Sequence, residues 1–182
     1  MEVARMKMPT RIRTQRLSLR KHELKDLEAF QAFLSDPVAS RYMAFTPEQK
    51  TQAGARQMLE YVIGSYQTAT PICSLTIADL STDQYLGSCG ANPDGKDIEI
   101  YYTVMPEHQG KGYATEAARA LLNYLSATTE SRLIAYVILE SLPSVRVAER
   151  LGLIDAGPIR RKAVTGDQEH ETLSGRKYVL PK

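Results

Sequence analysis

Apolar and polar residues alternate over Arg11-Ile12-Arg13-Thr14 and again over Arg16-Leu17-Ser18-Leu19-Arg20, the period-two pattern of a half-buried strand. The period then lengthens. Leu24, Leu27, Phe30 and Leu34 recur at helical spacing as far as Asp36-Pro37. Thr46-Pro47-Glu48-Gln49 places Thr at a cap, Pro at the first helical position and Gln at the third, which predicts a helix from there to about Tyr66 that buries Met58, Leu59, Val62 and Ile63. Strands are predicted over 72–78, 85–91 and 98–104, separated by turn-rich clusters at 79–84 and 92–95, in an antiparallel meander. A helix over 114–126, a strand over Arg132–Ile138 and a short helix over 143–151, stopped by Gly152, follow. Segments 154–162 and 171–180 are expected to pair around Thr165-Gly166-Asp167. The order β-α-α-β-β-β-α-β-α-β-β describes a mixed α/β domain whose sheet changes character in the middle.

The chain has 182 residues, about one domain's worth. Residues 1–10 read as an N-terminal extension whose order the sequence leaves open, and 11–182 as the domain. Two cysteines make no disulfide scaffold, and three histidines without ligand spacing give no metal site. No apolar run reaches the roughly 20 residues of a membrane span, and none follows the opening charges as in a signal peptide. A soluble cytoplasmic protein is expected, as a monomer or a homodimer. Charge is uneven: residues 1–21 carry seven Lys/Arg against one acid, and 160–182 carry six against three. Basic ends suit RNA or an acidic partner. Without interleaved aromatics, a solvated strand face is the better account, and nucleic acid is not an expected partner.

The chemistry lies in Glu99-Ile100-Tyr101-Tyr102-Thr103-Val104-Met105-Pro106-Glu107-His108-Gln109-Gly110-Lys111-Gly112-Tyr113-Ala114-Thr115-Glu116-Ala117: a strand, a loop with two glycines, and a helix. Backbone amides of such a loop and the positive end of the helix make an anion or phosphate cradle. Spacing excludes a Walker A loop, since Met105 and Gly112 stand where it needs Gly and Ser/Thr. Thr115 and the preceding antiparallel meander exclude a dinucleotide fingerprint.

The pattern that fits is Gln109-x-x-Gly112-x-Ala114, which resembles the acyl-CoA diphosphate loop of the GNAT superfamily of N-acetyltransferases. Thr14-Gln15-Arg16-Leu17-Ser18-Leu19-Arg20, the central run above, and Ser144-x-Arg146-Val147-x-Glu149-Arg150-Leu151-Gly152 resemble its RimJ/RimL-like subgroup, which acetylates ribosomal-protein N-termini. The resemblance spans roughly residues 11–180. It implies a central, mostly antiparallel sheet splayed in the middle and flanked by helices, with acetyl-CoA as co-substrate and no metal. It further implies that amides around Gln109, Gly110, Lys111, Gly112, Tyr113, Ala114 and Thr115 hold the diphosphate. The strand edge at Tyr102, Thr103 and Val104 would pair with the pantetheine arm, and Arg146 or Arg150 would reach towards the adenosine end.

Two places depart from that pattern. The late helix normally opens with an Asn facing the cofactor arm, where Ser141 stands here, and often carries a proton-donating Tyr, where Ala148 stands. Ser144 is the nearest substitute acid and serves equally well as a helix cap. For the base, Glu99, Tyr136 and Glu140 are candidates, against readings of Glu99 as an edge residue and Tyr136 as core. Cys73 and Cys89 read as buried apolar residues, and His108 and His170 as exposed. The expected function is direct acetyl transfer to a primary amine: a ribosomal or other protein N-terminus first, and a polyamine, amino acid or aminoglycoside second. A non-catalytic acyl-CoA-binding module is the competing class.

Overall fold

The computed structural model describes residues 4, 6–40, 43, 45–162 and 172–181. In chain order its elements are β1 (Arg11–Arg13), β2 (Leu17–Lys21), α1 (Leu27–Ser35), α2 (Gln52–Ser65), β3 (Cys73–Asp79), β4 (Tyr85–Asp94), β5 (Asp97–Val104), α3 (Tyr113–Thr128), β6 (Arg132–Ile138), α4 (Leu142–Arg150), β7 (Ile154–Lys162) and β8 (Thr172–Val179). The strands form one sheet in the order β1-β2-β3-β4-β5-β6-β8-β7. All neighbours run antiparallel except β5 and β6. This is the mixed α/β architecture the sequence implies, an open sheet flanked by helices.

The two faces carry separate cores. Ile98, Ile100 and Val104 of β5, with Leu133, Ala135 and Val137 of β6, pack against Ala117, Leu121 and Leu125 of α3 and Val147 and Ala148 of α4. On the other face Phe30, Phe33 and Leu34 of α1 meet Ala55 and Leu59 of α2 over Tyr85 and Met105. Side chains alternate along a strand, so Glu99 and Tyr101 stand on the α1/α2 face while Tyr102 stands on the α3/α4 face.

Three predicted features come out differently. The alternation over 11–20 is broken into the β1–β2 hairpin, because the Thr14 hydroxyl accepts the Leu17 amide at 2.9 Å and turns the chain. The Thr46/Gln49 capping box forms, with the Thr46 amide donating to Gln49 Oε1 at 2.9 Å, yet it caps only the 3₁₀ turn Glu48–Lys50. The α-helix starts afresh at Thr51, whose hydroxyl accepts the Gly54 amide. That turn folds tightly over the helix start: a Cβ at position 54 would lie 1.9 Å from the Glu48 carbonyl, so only glycine fits. Of the four residues expected under α2, Leu59 is fully buried, and Met58, Val62 and Ile63 are partly so. Leu24 is exposed, because the first turn instead sends Asp26 inward to Arg20. The described part of the extension is packed: the Ala4 amide donates to the Gly95 carbonyl, and Met6 and Met8 lie on the core. The proposed turn at 165–167 lies outside the described residues.

Candidate active site

The sheet opens at its middle. β5 and β6 share three rungs, Asp97↔Arg132, Ile98↔Leu133 and Glu99↔Ile134, and then diverge. Over residues 100–104 the β4 side of β5 stays paired. Among the described residues no strand pairs with the β6 side of that stretch. It is a free edge of the kind that extended ligands add to, and it contains Tyr102, Thr103 and Val104.

At the end of that edge lies the glycine loop. Gln109 turns its side-chain amide back to donate to the Val104 carbonyl at 3.0 Å, so it fastens the loop to the strand. Gly110 and Gly112 have φ of +76° and +81°, a conformation that favours glycine. Gly112 caps α3 without any side chain, and its carbonyl accepts the Glu116 amide. The amides of Tyr113, Ala114 and Thr115 are therefore the orphan donors of a helix start. The Thr115 hydroxyl oxygen is buried with no hydrogen-bond partner among the described residues. A row of donors, an unsatisfied hydroxyl and a bare glycine cap fit an anion, and the diphosphate of a coenzyme A thioester matches them. Lys111 is exposed beside them.

α4 borders the opening on the α3 side. Its cap residue is Ser141, which makes no side-chain cap, and Ser144 lies inside the first turn. The Ser141 hydroxyl donates to Ser144 Oγ at 2.9 Å, leaving the Ser144 proton for another acceptor. Tyr102 spans from β5 to this turn and donates to the Ser144 carbonyl at 3.2 Å. Tyr102, Ser141 and Ser144 are thus brought together. Arg146 and Arg150 are exposed on α4.

Glu99 and Tyr136 lie on the opposite face, Glu99 on the last rung and Tyr136 two residues beyond it on β6. Tyr136 donates to Asp94 Oδ2 at 2.6 Å and carries the Lys177 ammonium 5.8 Å over its ring. Asp97 beside them binds Arg132 at 2.8 Å and Lys177 at 2.7 Å, and the Arg132 hydrogen bonds lead in holding its carboxyl below the usual range. Glu140 is exposed in the β6–α4 turn.

The same face holds a buried hydrogen-bond chain that the sequence reading missed. The Thr76 hydroxyl donates to Asp26 Oδ2 at 3.0 Å, so its oxygen accepts from His22 Nδ1 at 2.7 Å. His22 Nε2 then accepts from Ser74 at 3.0 Å, and Ser74 accepts from Tyr101 at 2.7 Å. Every proton points from β5 towards Asp26, which Arg20 holds with two bonds of 2.8 and 2.9 Å. The chain requires a neutral imidazole, and burial lowers His22 to about 4. No local spacing reveals it, because its members come from β3, β5 and the connection between β2 and α1.

Cys73 and Cys89 are buried on neighbouring strands. Burial pushes both thiols up, Cys73 to about 11, so neither is a nucleophile at neutral pH. His108 is half-buried in the turn before the loop, and His170 lies outside the described residues. Among the described residues there is no group of side chains that could hold a metal ion, and no helix is long and apolar enough to cross a membrane.

Residues 16–154 match the acetyltransferase (GNAT) domain family, and the chain belongs to it. It is 32% identical over 151 residues to the uncharacterized N-acetyltransferase p20 of Bacillus licheniformis, covering 81% of this chain and 84% of that one. The fold is similar to that of an acetyltransferase (GNAT family) from Bacillus anthracis, with a TM-score of 0.77, 26% identity and coverage of 93% and 97%. It also resembles a ribosomal-protein-S5-alanine acetyltransferase from Vibrio fischeri in fold, with a TM-score of 0.70, 13% identity and coverage of 94% and 96%. The GNAT fold implies acetyl-CoA binding.

Proposed function

We propose that the protein is an acetyl-CoA-dependent N-acetyltransferase that transfers directly to a primary amine, with a peptide or protein α-amine as the preferred acceptor. The observation that carries this reading is the splayed β5/β6 edge ending in an uncapped, glycine-lined helix start. Candidate groups flank the opening on both faces of the sheet, and that placement suits the chemistry. The amine nitrogen attacks the thioester carbonyl, the carbon–sulfur bond breaks, and the nitrogen's proton passes to a base. Glu99 on the α1/α2 face takes the role of base, directly or through water. Tyr136 holds its proton against Asp94 and lines the amine's approach. Ser144, on the α3/α4 face, donates a hydrogen bond from its hydroxyl to the departing thiolate and keeps its own proton, and the thiolate is protonated by water. Holding the reactants in register supplies most of the rate. Support for the peptide acceptor comes from the resemblance of residues 14–20 and 99–117 to the RimJ/RimL-like pattern and from a ribosomal-protein acetyltransferase among similar folds.

Titration of acetyl-CoA by calorimetry should give micromolar binding, and free thiol should then appear with α-amino peptides faster than with polyamines, amino acids or aminoglycosides. Binding without turnover on any amine would favour a non-catalytic acyl-CoA module, to which the serine at 141 and alanine at 148 also point. Replacement of Ser144 by alanine should lower turnover roughly tenfold, less than a full general acid contributes because a thiolate leaves readily, while acetyl-CoA affinity stays unchanged. Full turnover in Ser144→Ala would remove Ser144 from the mechanism.

A further inference from the structure

The turn between β1 and β2 is tied to the glycine loop and the first turn of α3. Arg16 donates from Nε to Glu116 Oε2 at 2.7 Å and from Nη1 to the Lys111 carbonyl at 3.0 Å. Its Nη2 lies 2.6 Å from Glu116 Oε2, and its guanidinium sits 4.7 Å over the Tyr113 ring. Glu116 Oε1 meanwhile accepts the Thr14 hydroxyl at 2.6 Å and the Arg16 amide at 3.0 Å. Burial alone would raise the Glu116 carboxyl, but these hydrogen bonds outweigh it and hold the group below its usual range. One carboxylate therefore gathers the β1–β2 turn, and one guanidinium carries that fixation into the loop.

We propose that Arg16, locked by Glu116 and Thr14, is a positioning residue for the diphosphate loop. This rests on the acetyl-CoA reading above. A trans peptide points its carbonyl and amide in opposite directions. With the Lys111 carbonyl held by Arg16, the Gly112 amide is turned to the other side of the loop. Gly110 and Gly112 are otherwise the least restrained residues of the site, since neither has a side chain to pack. The guanidinium fork and its seat on Tyr113 freeze them before ligand arrives, which lowers the ordering cost of binding. Lysine has neither the fork nor the planar face.

Charge alone and the latch make opposite forecasts for Glu116→Gln. Removal of a carboxylate close to a bound diphosphate should tighten binding if only electrostatics matters. If the latch acts, acetyl-CoA binding weakens about tenfold in Glu116→Gln and also in Arg16→Lys, although Arg16→Lys keeps its charge. In the ligand-free protein, amide hydrogen exchange over residues 110–113 should accelerate about tenfold in both variants. Thermal midpoints identify any variant that fails to fold. Arg16 is 44% exposed and its replacement keeps the charge, so Arg16→Lys provides the decision if Glu116→Gln is unstable. Equal or tighter binding in Glu116→Gln, wild-type affinity in Arg16→Lys, or unchanged loop exchange would each overturn the latch. Absence of acetyl-CoA binding by the wild type would instead remove the function on which it rests.

Discussion

Gly112→Asp is expected to weaken acetyl-CoA binding by at least about a hundredfold, roughly 3 kcal/mol, while the protein still folds. Gly112 stands at the cap of α3 with φ of +81°. Aspartate tolerates this region better than most residues, and the strain of about 1–2 kcal/mol falls on an exposed loop. The nearest atom to a Cβ at this position is Arg16 Nη2 at 3.6 Å, so there is room for the side chain. The new carboxylate would then face the donors that a diphosphate needs, and would contest Glu116 for the guanidinium. A like charge about 4 Å from a phosphate costs on the order of 1–4 kcal/mol between bulk water and a partly screened surface. Gly112→Ala separates the causes, since it carries the backbone strain without the charge and should lose only a few-fold. Calorimetry on both variants provides the check. A Gly112→Asp protein that binds like the wild type would show that the helix start is not the anion site.

Acidification from pH 6.5 to pH 4 should remove about 3 kcal/mol of folding stability through His22 alone. The imidazole is buried among Phe30, Ser74, Thr76 and Asp26, and its folded value of about 4 lies well below the 6.5 of an exposed histidine. Burial is the dominant cause, with Asp26 opposing it and Arg20 adding to it. Between those two values the unfolded chain binds a proton that the folded chain does not. Stability therefore rises with pH across the window and falls by about 1.4 kcal/mol for each unit of acidification. Below pH 4 the histidine contribution levels off. Asp26 then takes over, because a carboxyl held low by Arg20 against the cost of its own burial loses its stabilisation on protonation. Urea unfolding at pH 7.5, 6, 5 and 4.5 measures the slope. His22→Gln should flatten it across the window, and a wild-type protein equally stable at pH 7 and pH 5 would contradict the assignment.

These two residues mark how far the sequence could be read. Gly112 is legible because the signal is local: a strand, two glycines and a helix in one run of residues specify the loop and the helix start, and β6 follows from the apolar run Leu133–Ile138. His22 is not legible. A lone histidine after a strand has no distinguishing neighbour in the sequence, and its partners Ser74, Thr76 and Tyr101 arrive only when β2, β3 and β5 align. Arg16 and Glu116 fall between these cases. Both stand in recognisable motifs, yet they are a hundred positions apart, and only the docking of the β1–β2 turn on α3 makes them a pair. The second cap at Thr51 was obscured by a better local signal at Thr46, which forms as expected but governs a single turn.

The sheet order carries a consequence for synthesis. β8 lies between β6 and β7 with hydrogen-bonded neighbours on both sides, although it is the last strand of the described chain to be made. As the chain emerges, β1 to β5 can associate and β6 can join β5 over their three rungs, but β7 has no strand partner among the described residues until β8 arrives between it and β6. A chain that has emerged only as far as residue 162 therefore displays the unpaired β8-side edge of β6, a template for association with other chains. The β6 wall of the opening is thus backed by a neighbouring strand only once residues 172–179 have emerged, and chaperone engagement during synthesis should concentrate before that point.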